Sequence, residues 1–371
     1  MPGTDRILAT YRISAPLAES RARAEALALE QSVEVPFAAI RDDHIRRDIL
    51  ARVESISPVH DRTDAFDVVL AIAVETTGHE ISQLMNMLFG NCAMHADVSL
   101  IDVRWPVGYA ASFPGPRFGI AGIRARTAAH GRALTCTAIK PQGSTLEQLK
   151  ALARTFTLAG IDVIKDDHGL TNQSFSRFAE RVPAIQRVVE AANRETGGHT
   201  CYAPTFSGGP KAMAEQIRVV KDCGAAMAMV APMLVGLPLL GYLRDELDLP
   251  ILAHPSGVGS SRIAPHVLIG QLYRLFGADA VIFANHGGRF AYAPEGCVAL
   301  TRSARTSWDG LLPALPVAGG GMTTARVNGV LDEYGIDTML LVGGGLLVAR
   351  EALFEESRAF VARVASYRSP A

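Results

Sequence analysis

The order of apolar and polar residues changes character near residue 131. Beyond that point short apolar runs alternate with longer segments of helical period. The runs fall at 134–139, 161–164, 200–206, 225–230, 250–254, 278–284, 312–318 and 337–342. Between most of them the spacing predicts helices over 146–159, 176–194, 210–222, 237–247, 263–276 and 323–334, with a last one over 349–364. Eight strand-plus-helix units in roughly 240 residues are the size and number of a (β/α)8 TIM barrel. A doubly wound open sheet is the rival architecture, but no GxGxxG follows the first strand. The first hundred or so residues read differently. Strands are predicted over 7–14 and 66–75 and helices over 17–30 and 80–89, giving a smaller α+β N-terminal domain. A Gly- and Pro-rich stretch at 106–116 joins the two, so the expected division is 1–115 and 116–371.

Composition narrows the partners. The 371 residues are 49% hydrophobic and 20% charged, with a formal net charge of −1. A near-neutral chain without basic blocks is not built mainly for nucleic acid. No apolar run reaches membrane-spanning length, and the first residues lack the charged-then-apolar layout of a signal peptide. Cys92, Cys136, Cys201, Cys223 and Cys297 are scattered and odd in number, which suggests a reducing compartment and hence a cytoplasmic location.

Candidate chemistry gathers where a barrel would place it, at the carboxyl ends of the predicted strands. The second run leads into Lys165-Asp166-Asp167-His168. An ammonium, two carboxylates and an imidazole at a strand end are costly for a fold and useful to a metal or acid–base site. Residues two apart on a strand share a side, so Lys165 and Asp167 point together while Asp166 points into the wall. A plain internal Lys–Asp ion pair is the alternative. Lys140 ends the first strand, His254 the fifth, and His286 and Arg289 sit in a glycine-flanked loop after the sixth. Glycine triplets follow the seventh and eighth strands, at 319–321 and 343–345. Unhindered backbone N–H groups there make a phosphate cradle, although tight turns alone would also call for glycine.

These segments resemble the RuBisCO large-subunit superfamily over essentially the whole chain. Thr137-Ala138-Ile139-Lys140-Pro141 resembles its strand-one T-I-K-P motif, whose lysine acts in proton transfer. The stretch 160–168 resembles the strand-two motif in which a CO2-carbamylated lysine binds Mg2+ with an Asp and a Glu. Asn172-Gln173-Ser174-Phe175 resembles the N-Q-P-F that follows, and 318–322 and 342–345 resemble the glycine segments that hold a phosphate. In the small domain Phe89-Gly90-Asn91 resembles an F-G-N whose asparagine reaches the neighbouring subunit's site, and Glu30-Gln31-Ser32 resembles the E-S-S of the other inter-subunit loop.

The resemblance implies roles as well as departures. It implies Lys140, Lys165 and Asn91 as catalytic groups, to which its strand-end position adds His254, with Lys165, Asp167 and His168 as metal ligands and Gly320, Gly321, Gly344 and Gly345 as phosphate binders. The cofactor it implies is Mg2+, or Mn2+ because His168 stands where a carboxylate ligand is expected, with a CO2-derived carbamate on Lys165. Gln142 takes the place of a second lysine of true carboxylases, and Pro255 and Phe283 take the places of an arginine and a histidine at the second phosphate. The lid lysine over strand six has no counterpart. The chain therefore resembles a RuBisCO-like protein of form IV type rather than a carboxylase. Phe283, Phe290 and Pro255 are expected to make the lost phosphate side apolar.

A singly phosphorylated ketose and an enediolate route follow from this resemblance, as in 5-methylthioribulose 1-phosphate isomerases. The 2,3-diketo-5-methylthiopentyl-1-phosphate enolases rank lower, because that branch has a lysine near the place of Asn91. Loss of CO2 from a phosphorylated β-keto acid, of the 3-oxo-isoapionate 4-phosphate type, is the runner-up. A Schiff-base aldolase through Lys165 or Lys140 and a non-catalytic binding or regulatory relative remain as other classes. Because Asn91 and Glu30 are expected to serve a neighbouring site, a homodimer or higher homo-oligomer with shared active sites is expected.

Overall fold

The computed structural model describes residues 5–290 and 292–368, and they divide into two compact units. Of these, the first comprises residues 5–113 with the segments 258–268 and 308–310; the second takes in 114–257, 269–290, 292–307 and 311–368.

In the first unit four antiparallel strands form a sheet of order β2-β3-β1-β4. They are β1 (Arg6–Ile13), β2 (Arg52–Pro58), β3 (Phe66–Ala73) and β4 (Val98–Arg104). Strict alternation in β1 buries Ile7, Ala9, Tyr11 and Ile13 completely, the mark of a strand with one face on a core. Helices α1 (Ser20–Glu30) and α2 (Ile81–Phe89) complete it. Glu80 caps α2 by accepting the Ser82 and Gln83 N–H groups. Strands β2 and β4 are additions to the sequence reading. β2 is an edge strand with mostly exposed residues, so it carries no apolar run to find.

The second unit opens with α3 (Gly119–Thr127) and then runs β5 (Leu134–Ile139), α4 (Leu146–Leu158), β6 (Val163–Asp166), α5 (Phe178–Thr196), β7 (Cys201–Ala203), β8 (Thr205–Phe206) and α6 (Pro210–Cys223). It continues through β9 (Ala228–Val230), α7 (Pro232–Val235), α8 (Leu237–Glu246), β10 (Ile251–Ala253), α9 (Tyr273–Leu275), β11 (Ala280–Ala284), α10 (Pro294–Arg305), β12 (Leu315–Gly319), α11 (Val327–Tyr334), β13 (Met339–Leu341), α12 (Gly344–Leu347) and α13 (Leu353–Ser366). The parallel sheet has the order β7-β6-β5-β13-β12-β11-β10-β9-β8. β7 and β8 are two halves of one strand, parted at Pro204, which has no N–H for a ladder. One half pairs with β6 and the other with β9. The ring is thereby nearly closed, and the (β/α)8 barrel expected from the sequence is what the chain forms.

Inside the ring lie Leu134, Cys136, Val163, Cys201, Ala203, Met229, Leu252, Ala280, Ile282, Leu315, Val317 and Met339. Ile120 and Ile123 of α3 pack against them. The charged groups at the strand starts are structural. Asp162 takes two bonds from Arg132, at 2.6 and 2.8 Å, and one each from the Thr135 N–H and hydroxyl. Asp279 accepts the N–H groups of Phe118, Gly119 and Ile251. One expected helix differs from the reading. The predicted 263–276 helix is π-helical over His266–Leu272 before α9, with Pro265 just ahead of it. The sequence reading also passed over α10, whose apolar positions are few. Among the described residues no helix is long and apolar enough to cross a membrane.

Candidate active site

Period-two geometry carries the core register of each strand up to the barrel mouth. Cys136 faces the barrel interior, so Ala138 and then Lys140 follow on that side. Val163 leads to Lys165 and Asp167, Leu252 to His254, Val317 to Gly319 and Gly321, and Met339 to Leu341 and Gly343. The structure brings Lys140, Lys165, Asp167, His168 and His254 together at this end. Lys140 Nζ is 3.2 Å from Asp167 Oδ1. A methyl on Gly343 would come within 3.3 Å of Lys140 Cε, so the lysine stem lies across that glycine.

Lys165 is only 2% exposed. Its amine donates to the backbone carbonyl of Asp166 at 2.9 Å and makes no direct bond with the Asp167 carboxylate. The ion pair expected as the bland alternative forms from Lys140 instead. Burial pushes the Lys165 pKa down, with the Cys136 and Asp167 charges opposing. A buried amine that gives up its proton more readily can add CO2, which a stable ammonium cannot. For Asp167, burial opposes ionisation, but the neighbouring His168 and the charges of Lys165 and Lys140 prevail and hold it well below the usual carboxylate range.

His168 and His254 stack, with ring centroids 4.4 Å apart and planes 14° from parallel. His168 Nδ1 is 3.7 Å from Asp167 Oδ1. Burial first, then the Lys165 and His168 charges, push the His254 pKa down to about 2, so its ring is neutral at ordinary pH. Its Nδ1 accepts the Ser256 N–H at 3.2 Å and lies 3.0 Å from the Ser256 hydroxyl, an arrangement that puts the ring proton on Nε2. Gln142, in the place of a carboxylase lysine, donates to the Gly169 carbonyl at 3.2 Å and ties the first loop to the second.

The glycines separate into two kinds. Gly320 and Gly321 have φ of +80° and +109°. A methyl on Gly321 would sit 2.8 Å from the Arg289 nitrogen, and one on Gly345 2.9 Å from the Met322 carbonyl. Packing alone demands these three. Gly344 has nothing within 4 Å of its missing side chain, so packing gives no reason for glycine there.

Other candidates lie elsewhere. Asn91 belongs to the first unit, where its amide donates to Glu30 at 2.9 Å and Glu34 at 2.8 Å. They line a hollow of 180 Å3 with Gln83 and Asn86. His286 turns to Glu333, 2.6 Å away. Phe283 corrects the expectation of an apolar mouth wall. It falls between the inward Ile282 and Ala284 and packs edge-on against Tyr334 of α11, with centroids 5.8 Å apart. The residues the sequence reading missed are Arg181 and Tyr202, which surround Asp166; an arginine on a helix gives no signal of burial.

Among the described residues no three His, Cys, Asp or Glu side chains gather as a metal cage. Asp167 and His168 supply two donors, and Lys165 as an ammonium supplies none. With a carbamate on Lys165 the set becomes two anionic oxygen groups and one imidazole, which fits a divalent ion of the Mg2+ or Mn2+ kind.

A barrel of this size with an amine, carboxylate and imidazole cluster at its carboxyl face, preceded by an α+β unit, defines an acid–base barrel class. Residues 119–350 match the family described as ribulose bisphosphate carboxylase large chain, catalytic domain. The chain belongs to that family, and within it to the RuBisCO-like proteins. It is 48% identical over 368 residues to ribulose bisphosphate carboxylase-like protein 1 of Rhodopseudomonas palustris, covering 99% of this chain and 100% of that one. It is 46% identical over 368 residues to the 5-methylthioribulose-1-phosphate isomerase of Rhodospirillum rubrum, covering 99% and 98%. The crystal structure of a Rubisco-like protein from Rhodopseudomonas palustris superposes with a TM-score of 0.91 at 42% identity, over 99% of both chains.

Proposed function

We propose that this protein is an enolising isomerase of a singly phosphorylated ketose of the 5-methylthioribulose 1-phosphate type, without ribulose bisphosphate carboxylase activity. The observation that carries the reading is the meeting of Lys140, Lys165, Asp167, His168 and His254 at one barrel mouth. The full-length similarity to a protein named for that isomerisation supports it.

Removing a proton beside a ketone leaves a carbanion that needs positive charge next to its oxygens. Lys165 as its carbamate, Asp167 and His168 would hold a divalent ion, which when bound supplies that charge as a Lewis acid. Lys140 stands at the mouth, 3.2 Å from the Asp167 carboxylate; as the free amine it, or the Lys165 carbamate, would take the proton from the carbon beside the ketone and return it in the isomer. The neutral His254 ring offers its Nε2–H to a substrate oxygen. The backbone at Gly320, Gly321, Gly344 and Gly345 receives the phosphate, with Gly344 leaving the approach open. Pro255 removes the arginine expected at a second phosphate, which favours one phosphate over two. The expected pairing of chains, with Asn91 and Glu30 serving a neighbouring site, belongs to the same proposal and is read by light scattering of the purified protein.

The test is purified protein with Mg2+ and bicarbonate in D2O, given 5-methylthioribulose 1-phosphate and followed by proton NMR. The reading expects isomer formation with deuterium entering next to the carbonyl, and no carboxylation of ribulose bisphosphate. No exchange and no product, alongside CO2 release from a phosphorylated β-keto acid, would replace it with the decarboxylase reading.

A further inference from the structure

Behind the mouth, on the wall side of β6, lies a buried polar cluster that the reaction outlined above does not use. Asp166 is 0%, Tyr202 0% and Arg181 1% exposed. The Tyr202 hydroxyl donates to Asp166 Oδ1 at 2.6 Å. Asp166 Oδ2 accepts from Arg181 Nη2 and from the Thr205 N–H, both at 3.1 Å. The remaining hydrogen bonds of Arg181 all end on the loop after β6. They reach the carbonyls of Ser176 at 2.7 Å, Thr171 at 2.8 Å and Leu170 at 3.4 Å.

A buried ion pair is poor value as a stabiliser, because desolvation offsets much of its attraction and apolar side chains of similar size often do as well. Here the cluster is also imperfect, since Arg181 Nε is buried with no hydrogen-bond partner. What it does specify is place. Asp166 contributes twice: its carboxylate is pinned from three sides, and its carbonyl accepts the Lys165 amine at 2.9 Å. The next peptide is held too, with the Asp167 N–H on the Ile139 carbonyl and the Thr205 hydroxyl on the Asp167 carbonyl, each at 3.3 Å. Every bond in the cluster thus converges on residues 166–176, the segment that presents Asp167 and His168.

We propose that Asp166, Arg181 and Tyr202 form a positioning unit that holds the Lys165 amine and the Asp167–His168 segment in their working places. The unit touches no substrate and acts only through its neighbours. The inference rests on the reading of Lys165 and Asp167 as working groups, but its structural half stands or falls without any substrate.

Tyr202→Phe, Arg181→Met and Arg181→Lys test it, each through a crystal structure beside the wild type and steady-state kinetics with 5-methylthioribulose 1-phosphate. Tyr202→Phe removes one oxygen and keeps the test open if Arg181→Met fails to fold. The expected result in Tyr202→Phe crystals is a Lys165 amine off the Asp166 carbonyl, or a displaced 167–168 segment. With it goes kcat lower by roughly ten- to a hundredfold, the scale of an ångström-sized misplacement, at nearly unchanged KM. Arg181→Lys should recover part of the loss seen in Arg181→Met. A Tyr202→Phe protein with the Lys165 contact and residues 167–168 unmoved in the crystal overturns the proposal, whatever reaction the enzyme proves to catalyse.

Discussion

Gly344→Ala separates a phosphate cradle from a mere turn. The residue starts the short helix α12, has no positive φ, and would place a methyl group with no atom within 4 Å. A methyl there costs the fold nothing, and Gly→Ala at a helical site gains about 0.5–1 kcal/mol. The same methyl would stand in the path of an anion approaching the backbone N–H groups. Losing one charge-assisted hydrogen bond is worth about 1.5–3 kcal/mol, or roughly ten- to a hundredfold in affinity. The assay pairs thermal unfolding with steady-state kinetics on the phosphorylated ketose. We expect an unchanged or slightly raised Tm with KM raised by that factor. An unchanged KM at unchanged stability would remove the anion from this loop.

Further outcomes follow from the same geometry. Gly321→Ala must fit φ of +109° and a methyl 2.8 Å from the Arg289 nitrogen, so it should lose about 1–3 kcal/mol in urea unfolding; wild-type stability would show that the loop simply moves aside. Lys165→Met keeps the buried stem while deleting the amine, and should abolish both turnover and bicarbonate-dependent Mg2+ binding by calorimetry. Retained metal affinity would place the ion elsewhere. The His254 pKa falls to about 2 on folding, so the unfolded chain takes a proton below about pH 6.5 that the folded one refuses. That contribution is absent above pH 6.5 and costs stability as pH falls, by up to about 1.4 kcal/mol per pH unit. His254→Gln should show a shallower loss of stability between pH 6.5 and 4.5, and an identical slope would contradict a neutral buried ring.

The barrel was legible because its strands are short apolar runs separated by helical periods, and β5 falls on its expected residues, Leu134–Ile139. The mouth was legible for the same reason. Alternation fixes Lys165 and Asp167 on one side and Asp166 on the other without knowledge of the fold. What was hidden depends on partners distant in sequence. Tyr202 is one more apolar-looking strand residue until Asp166 meets its hydroxyl. Phe283 looked like a mouth residue because its position was read by motif, whereas its register turns it to Tyr334. β2 has no buried run, so nothing in its composition marks it as a strand.

The account turns on the chemistry of one amine. Crystals grown with bicarbonate and Mn2+, with anomalous data at the manganese edge, read it directly. The expected density is a carbamate on Lys165 with the ion between it, Asp167 and His168. A bare Lys165 amine still bonded to the Asp166 carbonyl, with the ion absent or bound elsewhere, would contradict the account.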